Sequence, residues 1–138
     1  MAYDLTTYHA GKMAFDVKID QHVTRIDTGA KDGGENTGPS PKKLVLGTLA
    51  ACTGMDIVSL LRKMRVDFSD FSIQTKADLT EEHPKVFTRV DIIYRIKLAN
   101  EKHQAKVEKA VKLSKETYCG VSAMLSKNSP LYYRIEYL

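Results

Sequence analysis

Three short runs open the chain, Asp4 to His9, Met13 to Ile19 and His22 to Asp27, and in each of them apolar and polar residues alternate. A period of two sends successive side chains to opposite faces of a strand, and Ala10-Gly11-Lys12 and Asp20-Gln21 between the runs suit turns. The pattern predicts a three-stranded meander. Thr28 to Pro39 carries Gly29, Gly33, Gly34 and Gly38 among polar residues and reads as a mobile loop. Ser40-Pro41 then supplies a helix N-cap followed by proline at the first helical position. One long helix is expected from Pro41 to about Arg65, apolar on most of its circumference as far as Leu61, with Arg62, Lys63 and Arg65 suiting the dipole at its end. A helix that is apolar nearly all round must be covered nearly all round. In a chain this short, a partner subunit is a natural cover.

Phe68 to Leu79 and Val86 to Leu98 predict two more strands, joined by the charged turn Thr80 to Lys85. A second helix is expected from about Glu101 to Thr117, with Ala105, Val107, Ala110, Val111 and Leu113 on its apolar face. A short helix begins near Cys119, and Leu131 to Tyr137 forms a final strand. With 138 residues, residues 1–138 are expected to form a single globular domain. Met1 to Tyr8 shows neither the basic nor the apolar segment of an export leader, so a cytoplasmic protein with reduced thiols is expected. Leu44 to Leu61 has few charges but includes Asp56, Thr48, Thr53, Ser59 and two glycines, which favours a core helix over a membrane span. The net charge of +4 comes from bases interleaved with acids: Lys97, Lys102, Lys106, Lys109, Lys112 and Lys115 alternate with Glu101, Glu108 and Glu116. That is a solvated face and not a phosphate track, so neither nucleic acid nor membrane is an expected partner.

The chain has two cysteines, Cys52 in the long helix and Cys119 before the short one. They form no Cys-X-X-Cys turn, so only the fold can bring them together. By default two such cysteines are packing residues, and a structural disulfide is disfavoured in a chain that can build its own core. A redox pair is the alternative with chemical content. A free thiol with a pKa of ~8.5 is mostly protonated at neutral pH, and burial raises that value further. Cys52 lies about three turns past Pro41, beyond the reach of the helix-end field. Cys119, if it caps the helix that follows, gains from that N-terminus, so residue chemistry leaves open which sulfur attacks first. Asp56 shares a helical face with Cys52 and would oppose a thiolate; capping, pairing with a cation or facing the loop are its expected roles. His9, His22, His83 and His103 show no metal-ligand spacing, and no cofactor motif is present. Tyr118, Tyr132, Tyr133 and Tyr137 read as core or interface aromatics, with Tyr118 also placed to line a thiol pocket; Met55 and Met64 read as helix packing.

Three segments, in order, carry a likeness to a known family: Gly38-Pro-Ser-Pro-Lys-Lys-Leu-Val-Leu-Gly-Thr-Leu-Ala-Ala-Cys52-Thr-Gly-Met-Asp56, Glu82-His-Pro-Lys-Val-Phe87, and Val111-Lys-Leu-Ser114 leading to Tyr118-Cys119-Gly-Val-Ser-Ala-Met-Leu125. The chain resembles the osmotically inducible protein C (OsmC) and organic hydroperoxide resistance family, and its histidine-proline turn resembles the uncharacterised branch. The resemblance implies an α+β fold, with antiparallel sheets wrapped around a long central cysteine-bearing helix in an intertwined homodimer. It also implies reduction of organic hydroperoxides, with Cys52 attacking the peroxide and Cys119 resolving the sulfenic acid to a disulfide. A small dithiol or thioredoxin-type partner would then reduce that disulfide. The hydroperoxidases use an N-terminal arginine and a glutamate at the helix start; here the helix starts Lys42-Lys43 and the N-terminal turn offers Lys12. Lys12, Arg25, Lys42, Lys43 and Glu35 are the charged candidates for tuning the thiol, each expected to face solvent. The rival reading is a non-catalytic, stress-associated or small-ligand-binding dimer that keeps the fold.

Overall fold

The computed structural model describes residues 3–138. Two compact units divide the chain within its long helix, between Val45 and Leu46. In the first, strands β1 (Thr6–His9), β2 (Phe15–Ile19) and β3 (His22–Ile26) form the expected antiparallel meander. Thr6 lies opposite Lys18 and Phe15 opposite Ile26. The two-residue turn into β3 places Asp20 at φ 55, a left-handed conformation that aspartate tolerates better than most residues. Asp16 and Arg25 are cross-strand partners and form a two-pronged ion pair, and Arg25 also donates to Thr37 Oγ1 at 3.2 Å.

The glycine-rich segment after β3 is a loop, as expected, but it is wrapped on one buried carboxylate. Asp27, only 3% exposed, accepts hydrogen bonds from the Thr37 hydroxyl at 2.6 Å and from the backbone N–H groups of Thr37, Thr28 and Glu35. Gly34 and Gly38 permit the close wrapping, since a Cβ would stand 2.1 Å from the Thr28 carbonyl in one case and 2.4 Å from that of Arg25 in the other.

The second unit takes most of α1 (Pro41–Lys63), then β4 (Phe68–Leu79), β5 (Phe87–Leu98), α2 (Gln104–Leu113), α3 (Gly120–Ser126) and β6 (Leu131–Tyr137). β4 and β5 form an antiparallel hairpin. β6 departs from the expected antiparallel pairing: it joins β5 in parallel, Val90 opposite Leu131 and Ile96 opposite Tyr137. The reason is the connection, since residues 99–130 form a helical crossover, which returns the chain in the same direction instead of reversing it. β5 is therefore central and buries Val90, Ile92, Ile93, Tyr94 and Ile96. Against it pack Leu49, Ile57 and Leu61 of α1 and Val107, Ala110 and Val111 of α2.

By length and composition α1 would suffice to cross a membrane, yet its Leu49-Thr53-Ile57-Leu61 stripe is built into this core. Met64 packs against the core as expected. Met55 does not: it is 73% exposed, outside the stripe of α1 that packs on the sheet.

Four donors hold the Asp27 carboxylate in its charged form and pull its pKa from 3.8 to about 2, the Thr37 hydroxyl contributing most. This stabilisation is complete above the ordinary value and fades as pH falls from about 3.8 towards 2. Urea-unfolding midpoints measured against pH should drop over that interval in the wild type. In Asp27→Asn the midpoint should be lower at pH 7 and change less across the same interval.

Candidate functional site

The two sulfurs meet because of how three helices begin and end. α1 carries Cys52 on a flank of its buried stripe, partly exposed. After α2 the chain widens into a single π-helical turn, Ser114–Tyr118, closed by Cys119 N–H donating to the Ser114 carbonyl at 2.8 Å. Cys119 leaves that turn in an extended conformation and caps α3. Its Sγ accepts from Ser122 N–H at 3.4 Å and from the Ser122 hydroxyl at 2.9 Å. Both thiols are free, and the Cys119 thiol and the Val121 N–H are among the groups that act on Cys52. The first turn of α3 thus presents one backbone donor to each sulfur. Cys119 lies on the inner side, 3% exposed.

Hydroxyls extend from the inner sulfur. Tyr133 lies next to Ser122, whose hydroxyl is directed at sulfur. The Tyr133 ring stacks on Tyr94, centroids 6.2 Å apart, and Lys115 Nζ sits 4.7 Å from its centre. A separate buried chain runs beneath Cys52. Ser114 Oγ donates to Asp56 Oδ2 at 2.9 Å, Thr53 Oγ1 lies 2.8 Å from Ser114 Oγ, and Tyr94 OH lies 2.8 Å from Thr53 Oγ1. With the Ser114 proton on the carboxylate, donation runs in one direction: Tyr94 to Thr53 to Ser114 to Asp56. Burial pushes the Tyr94 phenol far above its ordinary pKa, which keeps it a donor. Asp56 accepts from a serine far along the chain, a role its position in the sequence did not suggest.

Burial also pushes the Cys52 thiol up. The Val121 N–H works against that shift, while the Cys119 thiol and the Asp56 carboxylate add to it. Among the described residues, the largest influences on Cys52 include no lysine or arginine. The charged candidates are engaged or exposed within the N-terminal unit: Lys12 pairs with Glu35 at 3.7 Å, Arg25 holds Asp16, and Lys42 and Lys43 are exposed at the start of α1. Tyr118 lines a small cavity of about 150 Å³ with Asp56, Ser59, Leu60 and Lys63. On the far side of α1, Ala51, Gly54, Met55 and Val58 with Phe71 and Ile73 of β4 line an open groove of about 780 Å³ that Cys52 does not line. Among the described residues, no three His, Cys, Asp or Glu side chains gather to hold a metal.

A sequence model described as OsmC-like protein matches residues 33–134, which hold both thiols and every hydroxyl of the two chains. The chain belongs to the OsmC-like family. Among its relatives is Protein YhfA of Escherichia coli K12, 37% identical over 89 residues, a match spanning 64% of this chain and just under two thirds, 66%, of YhfA. The same fold occurs in a hypothetical protein of Aquifex aeolicus VF5 (TM-score 0.85, 28% identity, 100% of this chain and 97% of that one). It occurs also in an organic hydroperoxide resistance protein of Legionella pneumophila (TM-score 0.63, 17% identity, 99% and 98%).

Sequence reasoning about this OsmC-like chain singled out both thiols but missed the roles of Ser122, Tyr133, Tyr94, Thr53 and Ser114. Cys119-X-X-Ser122 has the spacing of a capping residue and the N–H it receives, which was a readable signal. The tyrosines come from β5 and β6, and nothing local places them beside sulfur.

Two outcomes are expected. Alkylation of Cys52 by iodoacetamide, followed by peptide mass mapping, should still be accelerating above pH ~8.5, where an ordinary thiol levels off. Thr53→Val should cost about 1–3 kcal/mol in urea unfolding by leaving the buried hydroxyls of Tyr94 and Ser114 short of a partner.

Proposed function

We propose that the chain is a thiol-dependent peroxidase that reduces organic hydroperoxides through Cys52 and Cys119. The observation that carries this reading is the pair of free thiols close enough to influence each other, Cys52 on α1 partly exposed and Cys119 at the start of α3 buried. Cys52, as thiolate, attacks the outer oxygen of ROOH; the O–O bond breaks, Cys52 becomes a sulfenic acid, and the alkoxide takes up a proton to leave as ROH. Cys119 then attacks the Cys52 sulfur, forming a disulfide and releasing water before further oxidation can occur. A dithiol or thioredoxin-type reductant returns both thiols by exchange. Family membership and the Legionella relative's description as an organic hydroperoxide resistance protein support the substrate class.

We infer further that the working unit is a cytoplasmic homodimer, with no nucleic-acid or membrane partner. Met55, Val45, Phe15, Ile19 and Val23 are exposed apolar side chains, and the α1–β4 groove adds an apolar wall; a second copy would remove them from water. The second reading, a non-catalytic small-ligand-binding dimer, is favoured by one observation: burial pushes the Cys52 thiol up in pKa.

Intact mass spectrometry after brief exposure to an alkyl hydroperoxide or to hydrogen peroxide separates the two. A peroxidase should lose two protons per chain, faster with the alkyl substrate and faster as pH rises, because the reactive thiolate forms only at higher pH. Cys52→Ser should abolish turnover, and Cys119→Ser should let Cys52 pass to sulfinic acid. Two unreacted thiols under both oxidants would sink the peroxidase and leave the ligand-binding dimer.

A further inference from the structure

We propose that when the Cys52–Cys119 disulfide is reduced, the incoming thiol attacks Cys52 and expels Cys119, with Ser122 as the positioning residue that receives the departing sulfur. The inference rests on the redox-pair reading and adds the direction of the exchange. Two independent observations set that direction. The first is access: Cys52 is partly exposed, whereas Cys119 is 3% exposed behind it, so an external sulfur has one target. The second is where negative charge is welcome. In the reduced geometry Cys119 Sγ takes the Ser122 hydroxyl at 2.9 Å and the Ser122 N–H at 3.4 Å. At Cys52 the Val121 N–H favours charge, but burial and the Asp56 carboxylate oppose it. Thiol–disulfide exchange runs fastest through the sulfur that best carries charge as it leaves, and donors aimed at an anion are the strong kind of hydrogen bond.

The electron balance is simple. The thiolate of a dithiol reductant forms a new S–S bond to Cys52; the Cys52–Cys119 bond breaks and its electron pair stays on Cys119, which later takes a proton. The reductant's second thiol attacks its own sulfur in the mixed disulfide and releases Cys52, so two electrons pass from the dithiol to the pair.

The test uses the full-length protein oxidised with diamide, so that the bridge does not depend on peroxidase activity. The bridged protein is treated briefly with glutathione, quenched in acid, labelled with N-ethylmaleimide and mapped by peptide mass spectrometry. Glutathione on Cys52 with maleimide on Cys119 is the expected single-adduct species; glutathione on Cys119, or an even split, overturns the assignment. Ser122→Ala should slow the exchange about tenfold, the loss of one hydrogen bond to a charged sulfur, and Ser122→Thr should restore most of the rate. Equal rates in all three proteins would remove Ser122 from the role. Failure of diamide to form the bridge defeats this inference together with the redox pair. A bridge that forms with diamide but never with hydroperoxide defeats only the peroxidase, and the adduct position then decides the direction of exchange by itself.

Discussion

One buried hydrogen bond, between Thr53 and Ser114, ties together the two segments that carry the thiols. Thr53 follows Cys52 directly in α1, and Ser114 opens the turn that ends at Cys119. Joining the two hydroxyls fixes the distance between segments that lie far apart in sequence, so the sulfurs are brought together by their neighbours and not by a bond of their own. Tyr94 and Asp56 at the ends of the chain of hydroxyls give it a direction, and each of the three groups between β5 and the carboxylate finds an acceptor. A fully satisfied buried polar network specifies one arrangement, because every alternative leaves a hydroxyl without a partner in a place water does not reach.

Much of the architecture was legible in the sequence. The meander, the long helix from Pro41, both long strands and the last strand follow from hydrophobic period and turn chemistry, signals that each segment carries in itself. What was not legible depends on partners from elsewhere. The parallel course of β6 is set by the crossover before it, and the pattern of Leu131 to Tyr137 reads the same in either direction. The loop after β3 looked mobile because its glycines signal freedom; Asp27 uses those same glycines for close approach. Met55 read as helix packing because apolar residues usually are, but it lies outside the stripe of α1 that packs on the sheet. The thiols were visible as residue types, while the tyrosine and serine hydroxyls around them resemble ordinary core and surface residues until the strands are placed.

The two thiols are neighbours with different surroundings. One N–H reaches each sulfur; the hydroxyl of Ser122 goes only to the inner one, and the carboxylate of Asp56 acts against charge on the outer one. The asymmetry comes from short-range donors and from burial. It is consistent with the N-terminal unit, where Lys12 and Arg25 already have carboxylate partners.

The π-helical turn at Ser114–Tyr118 adds a last point. An α-helix advances about 100° per residue, so the one residue that widens this turn swings the following cysteine by more than a quarter of a revolution. Glu116 and Thr117 are exposed and spend nothing on side-chain contacts with the core. Packing places little demand on what they are, but the turn depends on how many there are: a single deletion there would keep every chemical group of the site and aim its second sulfur elsewhere.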